Sequence, residues 1–454
     1  MIKTFKECLK LIKFVLNLNL VQKIKNIISP LILISISLSM VFTRSFVGLE
    51  ILGFRLGEFV VLTGYLLLIF ICLKFYQEDF NNNYLIFILI FIYFVLQLIF
   101  TKADLLNSYT FKAGSFIAMT SFYFLGLNFP HNNKYVIKIQ KFLPILIPIT
   151  YIFGSSRYPK FIGDFFLNYS DKYEFIKASD ILMVIVVIVF YFNNFLNKKL
   201  NFIFIFIVIP LFLPQLLYLS RGSFIALALF FIMELFSNRK ILIDNIFKTF
   251  MYAIFGVFIF VVSTLNIYGN LNFEKSNPLM NAELEISQTQ VLQNNLQDLI
   301  ERRNYVGVLF SLYFDEGVLK STDGTLNWRL DIWQDLLDDM SDENKNLFGY
   351  GYNEILPVMT DPQEPGRMGV DGMNENIHNY FFNIFARGGI LLLGLFLYLH
   401  SYFVIKWKEK HNNFKILNFI IPLLIASFFD VSMEGVQFPL NYYFFIGTFL
   451  SIKN

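Results

Sequence analysis

The stretch from Phe202 to Phe236 is apolar for longer than one membrane crossing requires, and its clearest interruption is Ser220-Arg221-Gly222. A crossing takes about 17–25 residues, so this stretch reads as two helices divided by a tight turn. Pro210 and Pro214 are positioned to kink the first of the pair. The same pattern recurs along the chain. Apolar runs fall at roughly 27–43, 58–75, 84–100, 110–129, 140–155, 178–194, 201–219, 222–237, 246–266, 380–403, 415–430 and 437–452. In lipid every backbone polar group must be satisfied internally, so such runs become helices. The expected fold class is an all-α polytopic integral membrane protein with about twelve transmembrane helices. Charged residues make up 16% of the 454 residues, against about 25% in soluble domains. Disorder and a water-surrounded enzyme are thereby excluded.

Three parts follow: residues 1–266 as an N-terminal membrane bundle of about nine spans, 267–377 as a large loop, and 378–454 as a C-terminal bundle of about three spans. The loop carries 19 acidic and seven basic side chains, while the rest of the chain carries 15 and 30. The basic bias of the short loops puts both termini in the cytoplasm. Lys74, Lys134, Lys138, Lys141, Lys198, Lys199, Arg239, Lys240, Lys406, Lys408, Lys410, Lys415 and Lys453 then lie inside. The loop 267–377 would face outside. It is far longer than a connector. Ala282–Arg302 and Leu326–Met340 have amphipathic helical spacing. Gly349 and Gly351 mark a turn, and Pro357, Pro362, Pro365, Gly366 and Gly372 an irregular lid. Cys8 and Cys72 lie far apart and support neither a disulfide framework nor a metal cluster. Lys3, Lys6, Lys10 and Lys13 precede apolar sequence with no evident small-residue cleavage site, as expected of an uncleaved membrane protein.

Four positions stand out chemically. His378 closes the large loop in Asn374-Glu375-Asn376-Ile377-His378-Asn379-Tyr380, where the next span begins. A helix N-terminus disfavours imidazolium and keeps a neutral base available; the alternative is a polar cap at a membrane boundary. Glu375 is near enough in sequence to orient it. Arg221, in the turn, suits either lipid phosphate or a bound anion. Arg329 and Trp333 are four residues apart and share a helical face. Trp328 and Trp333 suit anchoring at headgroup depth, and a surface pair of Arg329 with Asp331 or Asp335 is the alternative. Arg387 sits beside Gly388-Gly389 inside a span, where a charge needs a bundle interior, a cavity or a partner. Asp180 and Asp430 at span ends are weaker candidates. There is no zinc spacing, phosphate-binding glycine loop or calcium-loop order. Scattered basic residues, mostly cytoplasmic, argue against nucleic acid.

These pieces, in this order, resemble the O-antigen ligase and O-antigen polymerase superfamily of bacterial envelope proteins. The resemblance rests on Ser220-Arg221-Gly222 opening a helix, Arg329-x-x-x-Trp333 running on to Leu347-Phe348-Gly349-Tyr350-Gly351, then His378-Asn379-Tyr380-Phe381, then Gly388-Gly389. It is strongest over roughly 205–400. In the family the last glycines are usually separated by two residues; here they are adjacent. The resemblance implies a metal-independent, inverting glycosyl transfer without cofactor at the periplasmic face of the inner membrane. The donor would be a glycan on undecaprenyl pyrophosphate. The acceptor would be lipid A-core for a ligase, or a lipid-linked repeat unit for an O-antigen or exopolysaccharide polymerase. By the same resemblance Arg221 and Arg329 would bind the pyrophosphate and His378 would activate the acceptor hydroxyl. Arg387, Trp333 and Asn379 would join the substrate-binding set. The ligase is the favoured reading. A protein O-glycan ligase is a further possibility, and a twelve-span polysaccharide transporter belongs to a different class.

Overall fold

The computed structural model describes residues 18–77, 82–155, 159–173, 176–196, 202–273, 312–315, 317–322, 324–362, 364, 366–368, 374–430 and 432–452. Cys8, the N-terminal lysines, the expected helix 282–302, and Pro365 and Gly372 of the expected lid lie outside these residues.

The protein is a largely α-helical, multi-pass membrane protein. Among the described residues seven helices are long and apolar enough to cross a membrane: Ile27–Val47, Leu56–Tyr76, Asn83–Thr101, Lys134–Gly154, Ala178–Phe195, Ile246–Tyr268 and Tyr380–His411. The other segments expected to span are helical but shorter or broken. The expected span 110–129 is three short helices, α4 (Ser108–Ala113), α5 (Ser115–Met119) and α6 (Phe122–Leu127). The Phe202–Phe236 run divides as the sequence indicates. Helix α11 (Ile209–Leu219) ends at Ser220, and α12 (Arg221–Ser237) starts immediately after it. Pro210 removes an amide hydrogen from the ladder, and the turn before α11 widens to a π-helix over Phe204–Val208.

Helix α10 (Ala178–Tyr191) is buried along its whole length and is the pillar of the bundle. It packs against α1 (Leu18–Val47), α11, α12, α17 (Leu417–Phe429) and α18 (Gln437–Ser451). Apolarity alone cannot distinguish such a helix from a peripheral one, because lipid is as apolar as a helix neighbour. Helix α14 (Ile246–Tyr268) shows the opposite case, with Phe247, Phe250, Ile254 and Phe258 exposed along it. Helix α18 crosses α6 at very short range. A β-carbon on Gly447 would lie 2.0 Å from the Tyr123 carbonyl oxygen, so glycine is needed there for the backbones to approach.

The expectation of an all-α chain needs correction. Among the described residues two antiparallel hairpins are present, Glu50–Ile51 with Phe54–Arg55 and Leu312–Asp315 with Val318–Ser321. The second is joined by two residues, of which Gly317 has φ +87°, the left-handed geometry that tight hairpin turns need.

Helix α15 (Gly324–Asp342) fulfils the expectation for Leu326–Met340. It buries Leu330, Trp333, Leu336 and Met340 against Leu356, Val358, Met359 and Ile377. It thereby lies across the start of α16 (Tyr380–His411), which is broken at Gly389 (φ +64°). The strand of loop at 346–351 fills the break: the Tyr350 and Gly351 amides donate to the Ala386 and Arg387 carbonyls, and the Ile390 amide donates to Asn346. A β-carbon on Gly389 would sit 2.2 Å from the Leu347 carbonyl oxygen. This explains why the Leu347–Gly351 and Gly388-Gly389 segments occur together: each fits the backbone of the other.

Candidate functional site

The loop before α16 is held in an uncommon conformation. His378 has φ +54°, which costs a non-glycine residue about 1–3 kcal/mol and persists only when its surroundings over-determine it. Four contacts do so. The Trp333 indole N–H donates to the Ile377 carbonyl at 2.8 Å. Trp333 also stacks on Phe382, with centroids 5.4 Å apart. Trp328 meets the His378 ring edge-on at 5.2 Å. On the other side Asn379, fully buried, caps α16 by accepting from the Phe381 and Phe382 amides, a contribution of about 1 kcal/mol.

The orienting partner of His378 is Asn374, whose Oδ1 lies 2.9 Å from Nε2. The Asn374 amide is itself fixed, because its Nδ2 donates to the Arg367 carbonyl at 2.9 Å. Oδ1 can only accept, so the proton sits on Nε2 and Nδ1 carries the lone pair. Glu375, the neighbour suggested by sequence, instead pairs with Lys112.

The His378 pKa is lowered to about 4, first by burial, then by the charges of Arg329 and Lys177, with Asp430 opposing them. The imidazole is therefore neutral near pH 7, as expected. The leading cause is desolvation rather than the helix N-terminus.

Arg329 and the turn that carries Arg221 both reach the end of α17. Arg329 reaches from α15 and donates through Nη1 to the Phe429 carbonyl. Arg221 is the first residue of α12, half-buried, beside Gly222. A β-carbon on Gly222 would lie 2.5 Å from Phe429 Cβ, so the α12 turn rests directly on that residue. Ser220 caps the turn by accepting from the Ser223 amide. Asp430, next in the chain, accepts from Ser179 at 2.9 Å. Phe429–Asp430 is thus the meeting point of α12, α15 and the His378 loop, with Arg329 and Lys177 close enough for their charges to act on His378.

Arg387 occupies a different setting. It is buried, donating through Nη1 to the carbonyls of Gly351 (3.1 Å) and Glu354 (2.7 Å) and through Nη2 to Tyr109. Its Nη1 thereby ties the 346–354 loop to α16. Glu434 lies close enough to feel the Arg387 charge, and burial pushes its carboxyl up to about 8. The surface pairs imagined for Arg329 are occupied otherwise: Asp331 accepts from Asn327, and Asp335 pairs with Arg367.

Trp328, Asn374 and Lys177 were not singled out by sequence as parts of this site. Asn374 carried a weak signal, lying four residues before His378. Trp328 lies one residue before Arg329, but nothing local says that its ring turns toward a loop fifty residues on.

Fold and site define a class: a multi-pass helical membrane protein in which Arg329, the turn carrying Arg221 and a neutral histidine held at a helix start lie around the end of α17. Residues 206–397 match the family model described as O-antigen ligase, and the chain carries a domain of that family there. The matched stretch runs from before α11 to the middle of α16 and contains Arg221, Arg329, Trp333, His378, Asn379 and Arg387. No curated protein matches the chain.

Proposed function

We propose that the chain is an inverting glycosyltransferase of the O-antigen ligase type. It moves a glycan from undecaprenyl pyrophosphate to a hydroxyl of lipid A-core, at the periplasmic face of the bacterial inner membrane with both termini cytoplasmic. The observation that carries this reading is the neutral, tautomer-fixed His378 beside Arg329, which meets the Arg221 turn at Phe429.

The chemistry follows from the parts. The acceptor oxygen attacks the anomeric carbon while its proton passes to His378 Nδ1. The bond from the anomeric carbon to the diphosphate oxygen breaks, and the diphosphate leaves with the electron pair. Arg221 and Arg329 hold the departing charge with planar forks that match phosphate oxygens. The donor is already activated, so no nucleotide or metal enters the scheme. His378 then loses its proton readily, because burial and Arg329 disfavour imidazolium. Trp333 and Asn379 act on substrate through the His378 backbone as positioning residues. Arg387 serves the substrate indirectly, by tying the 346–354 loop to α16.

A repeat-unit polymerase would use the same donor chemistry with another acceptor. Protein in lipid discs, given one undecaprenyl-pyrophosphate glycan and either lipid A-core or a lipid-linked repeat unit, separates the two by product. Transfer to lipid A-core is expected. Transfer only to the lipid-linked unit would move the assignment to polymerase. Translocation without transfer would make it a transporter.

A further inference from the structure

A cavity of about 520 Å³ opens on the face of α15 turned away from Phe429. Its size is that of a small-molecule site. Trp328, Asp331, Gln334 and Asp338 of α15 line it, with Glu364 and Arg367 from the facing loop. The helical residues recur every three or four positions, so one face of α15 forms the wall. Arg329 and Trp333 project from the other face toward Phe429 and Ile377.

The cavity is linked to His378 by two routes. Trp328 is its aromatic wall and also packs on the His378 ring. Arg367 pairs with Asp335 through its side chain, and its backbone carbonyl holds the Asn374 amide that fixes His378. A molecule seated here therefore lies across Trp328 from the base, on the side of α15 opposite Arg329.

The lining has the chemistry of a sugar subsite. A pyranose offers a C–H face that packs on an indole and a rim of hydroxyl donors that need acceptors. Trp328 supplies the first, and Asp331, Asp338, Glu364 and the Gln334 carbonyl can supply the second. Arg367 neutralises Asp335, which leaves three carboxylates facing the space. Burial and the neighbouring Asp335 raise the Asp331 carboxyl above its ordinary range, as like charges crowded together do. A further anion would meet the same repulsion. Among the described residues no group of three His, Cys, Asp or Glu could hold a metal ion, so the carboxylates are not arranged around a cation.

We propose that this cavity is the acceptor-sugar subsite, and that it admits uncharged or amino sugars while rejecting uronate-type acidic ones. The assignment to the acceptor rests on the glycosyl-transfer reading given above; the sugar selectivity does not.

The test uses the full chain in lipid discs, with soluble trisaccharides of N-acetylglucosamine, glucosamine and galacturonate as probes followed by saturation-transfer NMR. The neutral and amino trimers should bind, and the uronate about tenfold or more weakly. The double variant Asp338→Asn/Glu364→Gln should bring uronate and neutral trimers to within about twofold of each other. Trp328→Ala should lose the saccharide signal and Trp328→Phe should keep it. Equal binding of all three trimers, no binding of any, discrimination unchanged in the double variant, or saccharide binding displaced by calcium would each overturn the proposal. Trisaccharide selectivity with no transfer from any lipid-linked donor would instead overturn the transferase reading and leave the sugar site standing. Transfer with no change of acceptor preference in the double variant would overturn the subsite alone.

Discussion

Asn374 offers a sharp perturbation of the base. Its Oδ1 accepts from His378 Nε2 at 2.9 Å in a mostly buried setting. Replacing Asn374 by Ala removes one neutral hydrogen bond, with a net value of about 0.5–1.5 kcal/mol. It also frees the imidazole to take the tautomer whose Nδ1 is protonated and cannot accept. Turnover should fall about three- to tenfold at pH 7 with little change in donor binding. Asn374→Asp does something different. It puts an anion against the Nε2 proton, and a charge-assisted bond favours imidazolium by about 1.5–3 kcal/mol. At 1.36 kcal/mol per pH unit, the histidine pKa should rise by about one to two units. The sign is fixed by the starting point. His378 sits at about 4, so its basic form persists down to that pH and activity is lost only as pH falls through it. The acid limb of kcat/KM should therefore lie near 4 in the native protein and between about 5 and 6 in Asn374→Asp. The assay is glycan transfer to acceptor in lipid discs across pH 3.5–8, chosen to bracket both limbs. An acid limb that stays in place in Asn374→Asp, together with full activity of Asn374→Ala, would refute the orientation of the base.

Other expectations follow from the same geometry. Arg221→Ala and Arg329→Ala should each lower kcat by about 10²–10³, with Lys restoring only part, as single-turnover kinetics would show; normal turnover in both would remove the leaving-group role. Gly389→Ala combines a left-handed φ with a β-carbon 2.2 Å from Leu347 oxygen and should lower thermal stability by several degrees while releasing the 346–351 loop to proteolysis. Arg387→Ala should destabilise by about 3–5 kcal/mol through its buried hydrogen bonds; a fully stable variant with a raised donor KM would make Arg387 a direct substrate ligand. Gly222→Ala should disturb Phe429 and reduce activity more than stability, measured as turnover against melting temperature.

Much of this site could be read from the linear chain because its parts sit where helices begin or end. The Ser220 turn showed as a polar break in an apolar run, α15 as a 3.6-residue stripe, and His378 as a polar residue at the mouth of a span. These signals are local. What was not legible depends on contacts distant in sequence. Asn374 rather than Glu375 holds His378 because Arg367 fixes the Asn374 amide and Lys112 draws Glu375 away. Asp430 looked like any acid at a helix end until α10 and the His378 loop met it. The break in α16 at Gly389 is set by a loop forty residues upstream. The hairpin at 312–321 was hidden inside a loop read as helix and lid, although Asp315-Glu316-Gly317 between apolar residues is a turn signal. The central place of α10 was equally hidden, since hydropathy does not tell a helix facing protein from one facing lipid.

The central claim is that His378 takes the acceptor proton at a site whose arginines hold the diphosphate. The direct measurement is single-turnover transfer from an undecaprenyl-pyrophosphate glycan by His378→Ala in lipid discs, with donor binding measured on the same sample. Loss of transfer by about 10²–10⁴ with donor affinity kept is the predicted result. Transfer at the native rate by His378→Ala would contradict it.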